Sequence, residues 1–203
     1  GNGEISTAVA GGVGVVKTGT NAITLSRNNT FTGNLITRGG SLLLTSTNAY
    51  AGNTIVTAGA TLGFSGPATE GTGFLEVGTA QGNGTLNLDA TGTLAFGGTP
   101  VIGTGLGSAH GAGAVRQSSG TVNYSVAGQY LTLANTTGSY GSYELSGGTM
   151  ATVTDAGIRV GWNGPAVLTQ TGGSLTSRRW FAIGGANAKG VAPFLARTAS
   201  TLP

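Results

Sequence analysis

The chain has 203 residues, of which 40 are glycine, while 38% are hydrophobic and only 7% are charged. This composition excludes a charge-rich disordered chain and an ordinary helical protein, and the absence of cysteine excludes disulfides and thiolate metal sites. Nine Lys and Arg residues, dispersed from Lys17 to Arg197, against six acids give a net charge of +3. A nucleic-acid binder clusters its basic residues, so we expect no nucleic-acid partner.

The start of the chain and its apolar segments bear on export and membrane insertion. The first residues, GNGEISTAVAGG, lack a basic segment followed by an apolar run, which is the pattern expected of a mature or excised piece. Because no apolar stretch approaches the ~20 residues of a membrane helix, we expect no membrane insertion by this chain.

The N-terminal third repeats with a short period. NTFTGN, which begins at Asn29, recurs as NAYAGN, which begins at Asn48. Gly39-Gly40-Ser41-Leu42 is likewise matched by Gly59-Ala60-Thr61-Leu62. A period of about 20 residues suits one coil of a solenoid, so we predict short coils over residues 1–64.

A longer period follows in residues 65–203. A corner motif occurs at Gly92-Thr93-Leu94 and recurs in four further copies, which begin at Gly120, Gly148, Gly173 and Ser200. An alternating piece precedes each corner: LNL, VRQ, YEL, LTQ and LAR. Further upstream lie LEVG, LTLA, IRVG and FAIG, so each repeat contains three short strands of period two. Glycines such as Gly148 and Gly173 are expected in corners with positive φ or no room for a Cβ.

Three short strands per repeat predict a single all-β domain over residues 1–203, a right-handed parallel β-helix of about seven coils, with coils of about 25–28 residues in the second part. One inward ladder should contain apolar residues from successive coils: Leu75, Val77, Leu131, Leu133, Ile158, Val160, Phe181 and Ile183. Glu76, Thr132, Arg159 and Ala182 then face outward. A leucine-rich repeat would need an L-x-x-L-x-L pattern that is absent. A β-sandwich is the alternative, although it does not explain the regular spacing of the corners.

Residues 23–44, ITLSRNNTFTGNLITRGGSLLL, and 42–64, LLLTSTNAYAGNTIVTAGATLGF, resemble the autotransporter-associated β-strand repeat. In that family an apolar strand is followed by Asn-Thr-Tyr, a Thr-Gly-Gly-Thr turn, a second strand and Gly-Thr-Leu. Asn34 and Asn53 replace the second turn glycine here. The resemblance implies an exported, surface-displayed β-helix with a structural or adhesive role, and it implies no reaction.

The acids and the histidine offer no convincing catalytic constellation. Glycoside hydrolysis needs two carboxylates about 5 to 9.5 Å apart, and no two of the six acids share a strand position in adjacent coils. Arg116 and Glu144 instead lie one repeat apart, which predicts a stacked ion pair on the surface. His110, with Ser108 nearby, lacks an orienting acid close in sequence. The only aspartates, Asp89 and Asp155, do not recur in each coil, so we expect no metal and no cofactor.

SRRWF, residues 177–181, is the basic–aromatic cluster of the chain. Arg178, Arg179 and Trp180 are candidates to bind a polysaccharide, a nucleic acid or a neighbouring subunit, and Trp162 either extends this patch or packs on its own coil. The competing interpretation is a corner that exposes arginines over an aromatic residue without any ligand.

Two functions remain. The first is a structural or adhesive extracellular β-helix at the bacterial cell surface, which self-associates end to end or laterally because its terminal strands carry few charges. The alternative is a β-helix that binds or cleaves a polysaccharide with the region of Trp162 and Arg178 to Trp180.

Overall fold

A computed structural model describes residues 1–70, 73–103, 105–106, 109–125, 127–185 and 195–196, with backbone alone for residues 70, 105, 106, 109, 110, 195 and 196. All regular structure in this part of the chain is β-strand. None of the described residues forms a helix that is long and apolar enough to cross a membrane.

The strands follow one another around a coil, usually three per turn. In chain order they are β1 (Gly3–Ile5), β2 (Ala10–Gly11), β3 (Val15–Thr18), β4 (Ala22–Leu25), β5 (Asn29–Phe31), β6 (Leu35–Arg38), β7 (Ser41–Leu44), β8 (Asn48–Tyr50), β9 (Thr54–Val56), β10 (Ala60–Phe64), β11 (Ala68–Glu70), β12 (Leu75–Val77), β13 (Gly84–Phe96), β14 (Pro100–Ile102), β15 (Gly105–Leu106), β16 (Ala109–His110), β17 (Ala112–Tyr124), β18 (Tyr130–Leu133), β19 (Tyr140–Leu145), β20 (Thr149–Thr152), β21 (Gly157–Val160), β22 (Ala166–Gln170), β23 (Ser174–Thr176), β24 (Phe181–Ile183) and β25 (Leu195–Ala196).

These strands build a parallel β-helix with three faces. Face 1 begins with β1 and β4, and face 2 begins with β2 and β5. Both belong to one 15-stranded sheet, because β13 and β17 each run through the corner between them and pair on both faces. Face 3 is an eight-stranded parallel sheet that takes one strand from each coil, from β3 to β24. The predicted fold class is therefore confirmed, with eight coils in the described residues instead of about seven.

One face 3 strand, β14, is not among the alternating pieces that the sequence shows. Pro100 stands at the first position of β14, where its partner in β12 is the apolar Leu75. Proline is tolerated at the first residue of a strand, where its missing N–H is not needed. Val101 then pairs with Thr132 across a longer coil, because the antiparallel β15–β16 hairpin lies between these two strands in the chain.

The inward ladder of face 3 has the predicted members. Val77, Leu133 and Val160 lie one above the other in register through Ile102, and all are at most 2% exposed. Leu131 pairs with Ile158, which pairs with Phe181. Ile183, in the last face 3 strand described, is 46% exposed. Each coil therefore buries its apolar side chains against those of the coils above and below it.

Thr132 faces outward as predicted, yet it is only 5% exposed. It lies beside Arg159, its register partner, and its Oγ1 donates to the carbonyl of Tyr130 at 3.4 Å. Outward orientation and solvent exposure are thus different properties on this face.

The short N-terminal coils are joined by a ladder of asparagines. The Nδ2 of Asn29 donates to the Oδ1 of Asn48 at 2.7 Å, and the Oδ1 of Asn29 accepts from the backbone N–H of Val9 at 2.9 Å. Both asparagines are 1% exposed. A second ladder satisfies the next turn, where Asn34 and Asn53 accept hydrogen bonds from the backbone one coil further on. These positions repeat because the same turn recurs in each coil.

Glycine is required at the corner between faces 1 and 2. Gly120, Gly148 and Gly173 have φ of 70°, 76° and 67°, which confirms the prediction for Gly148 and Gly173. Gly92 differs, since it lies inside the continuous strand β13 without a positive φ.

Two polar side chains inside the coil satisfy backbone carbonyls at corners. Lys17, 7% exposed, donates from its Nζ to the carbonyls of Thr18, Gly19 and Gly39 at 2.8, 2.8 and 3.0 Å. The Nε2 of Gln117, 1% exposed, donates to the carbonyl of Thr149 at 2.9 Å. A corner turns carbonyls inward, and these side chains supply the donors they need.

Candidate functional site

The four candidate binding residues lie in turns that flank the last two described strands of face 3. Trp162 follows β21, whereas Arg178, Arg179 and Trp180 form the connection between β23 and β24. Because β21 and β24 are parallel neighbours, the turn after β21 and the turn before β24 lie in adjacent coils but at opposite edges of face 3.

The centre of this region is Arg159, which the sequence placed outward on β21 but not in the patch. Its guanidinium carbon lies 3.5 Å from the ring centroid of Tyr130 and 3.9 Å from that of Trp162. Tyr130 is on the adjacent strand β18, which also carries Thr132, the register partner of Arg159. The guanidinium therefore contacts two aromatic rings, an arrangement that arginine favours over lysine.

Arg179 also lies near Tyr130. Its guanidinium carbon is 5.6 Å from the Tyr130 ring centroid, and its Nη1 is 3.8 Å from the Oδ2 of Asp155. The side chains of Arg179 and Asp155 are 34% and 67% exposed, so this ion pair is screened by solvent and weak.

The turn that carries Arg178 and Trp180 is fixed through its backbone. The N–H of Arg178 donates to the Oγ1 of Thr152 at 3.1 Å, and the carbonyl of Trp180 accepts from the N–H of Ile158 at 3.0 Å. The Trp180 indole is nevertheless 73% exposed. The side chains of Arg178 and Trp180 make no hydrogen bond, ion pair or ring contact with the described residues. Both are therefore available to a ligand, although the backbone that carries them is fixed.

The structure thus brings Trp162 and Arg179 together through Tyr130 and Arg159. We call Tyr130, Arg159, Trp162, Arg179 and Trp180 the arginine–aromatic surface. Tyr130 and Arg159 were missed because they are far from SRRWF in sequence. The period-two pattern that places Thr132 and Arg159 outward also places Tyr130 outward, and that signal was sufficient to find it.

The predicted ion pair on face 1 is confirmed. Arg116 is the register partner of Glu144, and the Nε of Arg116 is 3.9 Å from the Oε2 of Glu144. Both side chains are more than half exposed, so the pair contributes about 0.2 to 1 kcal/mol at most.

The other acids are held by hydroxyl groups or lie opposite non-acidic residues. Two hydrogen bonds, from Ser118 and Ser119, lower the pKa of Asp89 below its ordinary value. Glu76 pairs in register with Ile55 and Val101. Within the described ranges no group of three or more His, Asp or Glu residues is suited to hold a metal ion.

For some of the predicted positions the structure describes no side chain. Ser108, Arg197 and the degenerate corner at Ser200 lie outside the described residues. His110 is described by its backbone alone, as the end of β16 opposite Gly105.

In comparisons with known proteins, no family model, no curated protein and no solved structure matches the chain.

Proposed function

We propose that this protein is a structural or adhesive β-helix, displayed at the bacterial cell surface or outside the cell, that self-associates through the open end of its first coil. The single observation that carries the proposal is that the strands of the first coil are paired on one edge only. The strands β1, β2 and β3 pair only with β4, β5 and β6, and no described strand covers their other edges.

The open end is apolar as well as unpaired. Ile5, Val13 and Val16 are 40%, 74% and 56% exposed. Proteins that remain monomeric usually protect such edges with charge, proline or a covering element. Glu4 is the only acid in this coil, and Lys17 is turned inward, so little charge repels an approaching strand.

A second copy or a preceding coil of a longer chain fits this end, because either can continue the same three parallel ladders. Low overall charge, 7% of residues, also reduces repulsion between copies. The surface location rests on the resemblance of residues 23–64 to the autotransporter-associated repeat, which implies export and display.

Sedimentation over a concentration series, combined with electron microscopy, tests the proposal. Ile5→Lys places a charge at the open end of the core and is expected to suppress association. Thr30→Lys is the matched control, because Thr30 is exposed on face 2 of the second coil, one coil in from the open end. A monomer at every concentration would refute self-association, and equal suppression by both variants would indicate lateral contact.

We propose no reaction for this chain. Incubation with a panel of polysaccharides tests this: turnover that an acid-to-amide substitution abolishes would make the protein an enzyme.

A further inference from the structure

We propose that the arginine–aromatic surface is a binding site for an anionic polysaccharide, in which Arg159 binds the carboxylate of a uronic-acid residue and the Trp180 indole stacks on a sugar ring. This site is on faces and turns far from the first coil, and it is independent of the self-association proposed above.

The first step concerns what the Arg159 guanidinium contacts and which of its donors remain available. Its central carbon lies against the rings of Tyr130 and Trp162, at 3.5 and 3.9 Å from their centroids. Yet its N–H groups donate to no acceptor among the described residues. Contact with two rings restricts the Arg159 side chain before any ligand binds, so an anion loses less binding free energy to ordering it. The N–H groups at the edge of the planar guanidinium remain available for bidentate binding. Such an arrangement is preorganised for a planar carboxylate.

The second step is charge. Arg159, Arg178 and Arg179 lie on adjacent coils, and among the described residues Asp155 forms an ion pair with Arg179 alone. The Arg179 to Asp155 distance of 3.8 Å is longer than a hydrogen bond, so Arg179 retains donors for a ligand. The surface therefore favours an anion over a neutral or cationic ligand.

The third step is the exposed indole. Trp180 is 73% exposed on a turn whose backbone is fixed at both Arg178 and Trp180. Tryptophan is enriched at interfaces because its ring is apolar and its N–H can donate a hydrogen bond, so an indole exposed on a fixed turn suits a binding surface. The C–H face of a pyranose ring is apolar and flat enough to stack on an indole, whereas the hydroxyl groups at its rim remain in water.

The arrangement suits a carboxylated sugar better than a nucleic acid. A phosphate backbone requires a row of cations. The outward column of face 3 that contains Arg159 continues to Thr132, Val101 and then Glu76 on one side and to Ala182 on the other, without another cation. One fixed fork on β21, with one exposed ring in the turn before the neighbouring strand β24, matches an isolated carboxylate on a sugar.

Calorimetric titration with oligogalacturonate tests the proposal, with the methyl-esterified oligomer and single-stranded oligothymidylate as the comparison ligands. Oligogalacturonate is expected to bind, and loss of its carboxylates by esterification is expected to weaken binding by about 10-fold or more, because charge-assisted hydrogen bonds are lost.

Two variants report on the two halves of the site. Arg159→Lys keeps the charge but loses the planar fork, and Trp180→Ala removes the stacking surface without touching the core. Each is expected to weaken oligogalacturonate binding by about 10-fold. Arg116→Lys, an exposed arginine on face 1, is the matched control and should leave the affinity unchanged within about 2-fold.

A merely structural role for the arginine–ring contacts predicts a different result, since Arg159→Lys would then alter the melting temperature and leave the affinity of the folded protein unchanged. That outcome overturns the proposal. So does absence of oligogalacturonate binding, equal affinity for the esterified oligomer, tighter binding of oligothymidylate, or an unchanged affinity of Trp180→Ala.

Discussion

Gly148→Ala is expected to destabilise the protein far more than Gly59→Ala, although the two glycines have almost the same backbone conformation. Their φ values are 76° and 77°. A Cβ on Gly148 would lie against the carbonyl oxygen of Gly120 and 2.6 Å from the carbonyl carbon of Ser119, in the neighbouring coil. A Cβ on Gly59 would meet nothing within 4 Å.

The magnitudes follow from these environments. An L-residue in the left-handed region costs about 1–2 kcal/mol, and this cost applies to both variants. Gly148→Ala adds an overlap with backbone atoms that cannot rotate away, and overpacking of this kind costs about 1–3 kcal/mol or more. We therefore expect about 1–2 kcal/mol for Gly59→Ala and about 2–5 kcal/mol for Gly148→Ala.

Urea titration followed by circular dichroism measures both values, with tryptophan fluorescence as a second probe of the same transition. The difference in free energy of unfolding between the variants isolates the contact between successive coils, because the conformational cost cancels. Equal midpoints for Gly59→Ala and Gly148→Ala would show that the close stacking of corners does not constrain position 148, and the reasoning would fail.

Three further substitutions probe buried polar groups. Asn48→Leu removes the acceptor for Asn29 and the donor for a turn carbonyl, so we expect a loss of about 2–4 kcal/mol in denaturant titration. Lys17→Met leaves three corner carbonyls without their donor; we expect a loss of about 1–3 kcal/mol, with faster hydrogen exchange confined to the first two coils. Burial, followed by the proximity of a second tyrosine, raises the pKa of Tyr143 well above its ordinary value of 10.0. The neutral phenol is thus favoured in the folded state, so stability should be unaffected below pH 10 and fall as the pH rises above it. Tyr143→Phe should weaken this alkaline loss while costing about 1 kcal/mol at neutral pH through its lost hydrogen bond to Gln117, as pH-dependent melting would show.

Much of the fold was predictable because, in a solenoid, residues that lie one repeat apart in sequence are neighbours in adjacent coils. Leu131, Ile158 and Phe181 occupy equivalent positions in successive repeats, and the structure stacks them in register. The same holds for Arg116 and Glu144, whose separation of one repeat makes them neighbours on the surface. In such a fold, the repeat length predicts which residues distant in sequence are in contact.

Irregular coils were less predictable. Pro100 interrupts the apolar pattern at the start of β14, so the sequence did not indicate a strand there. The β15–β16 hairpin also lengthens the spacing to the next coil. Gly92 shares the corner motif with Gly148 but has no positive φ, and the pairing of β13 with β17 shifts register at this corner. A motif cannot distinguish these two solutions, since the choice depends on packing against the neighbouring coils.

The candidate site shows the same division. The sequence by itself determined that Arg159 faces outward, that SRRWF lies at a corner and that successive coils bring such positions near one another, because period-two alternation and the repeat length are local properties. Only the tertiary structure decided that the Arg159 side chain contacts both Tyr130 and Trp162 while Trp180 remains exposed. Those positions depend on how turns of different length place their side chains over a shared face, and turn geometry is set by contacts between coils, which no single repeat contains.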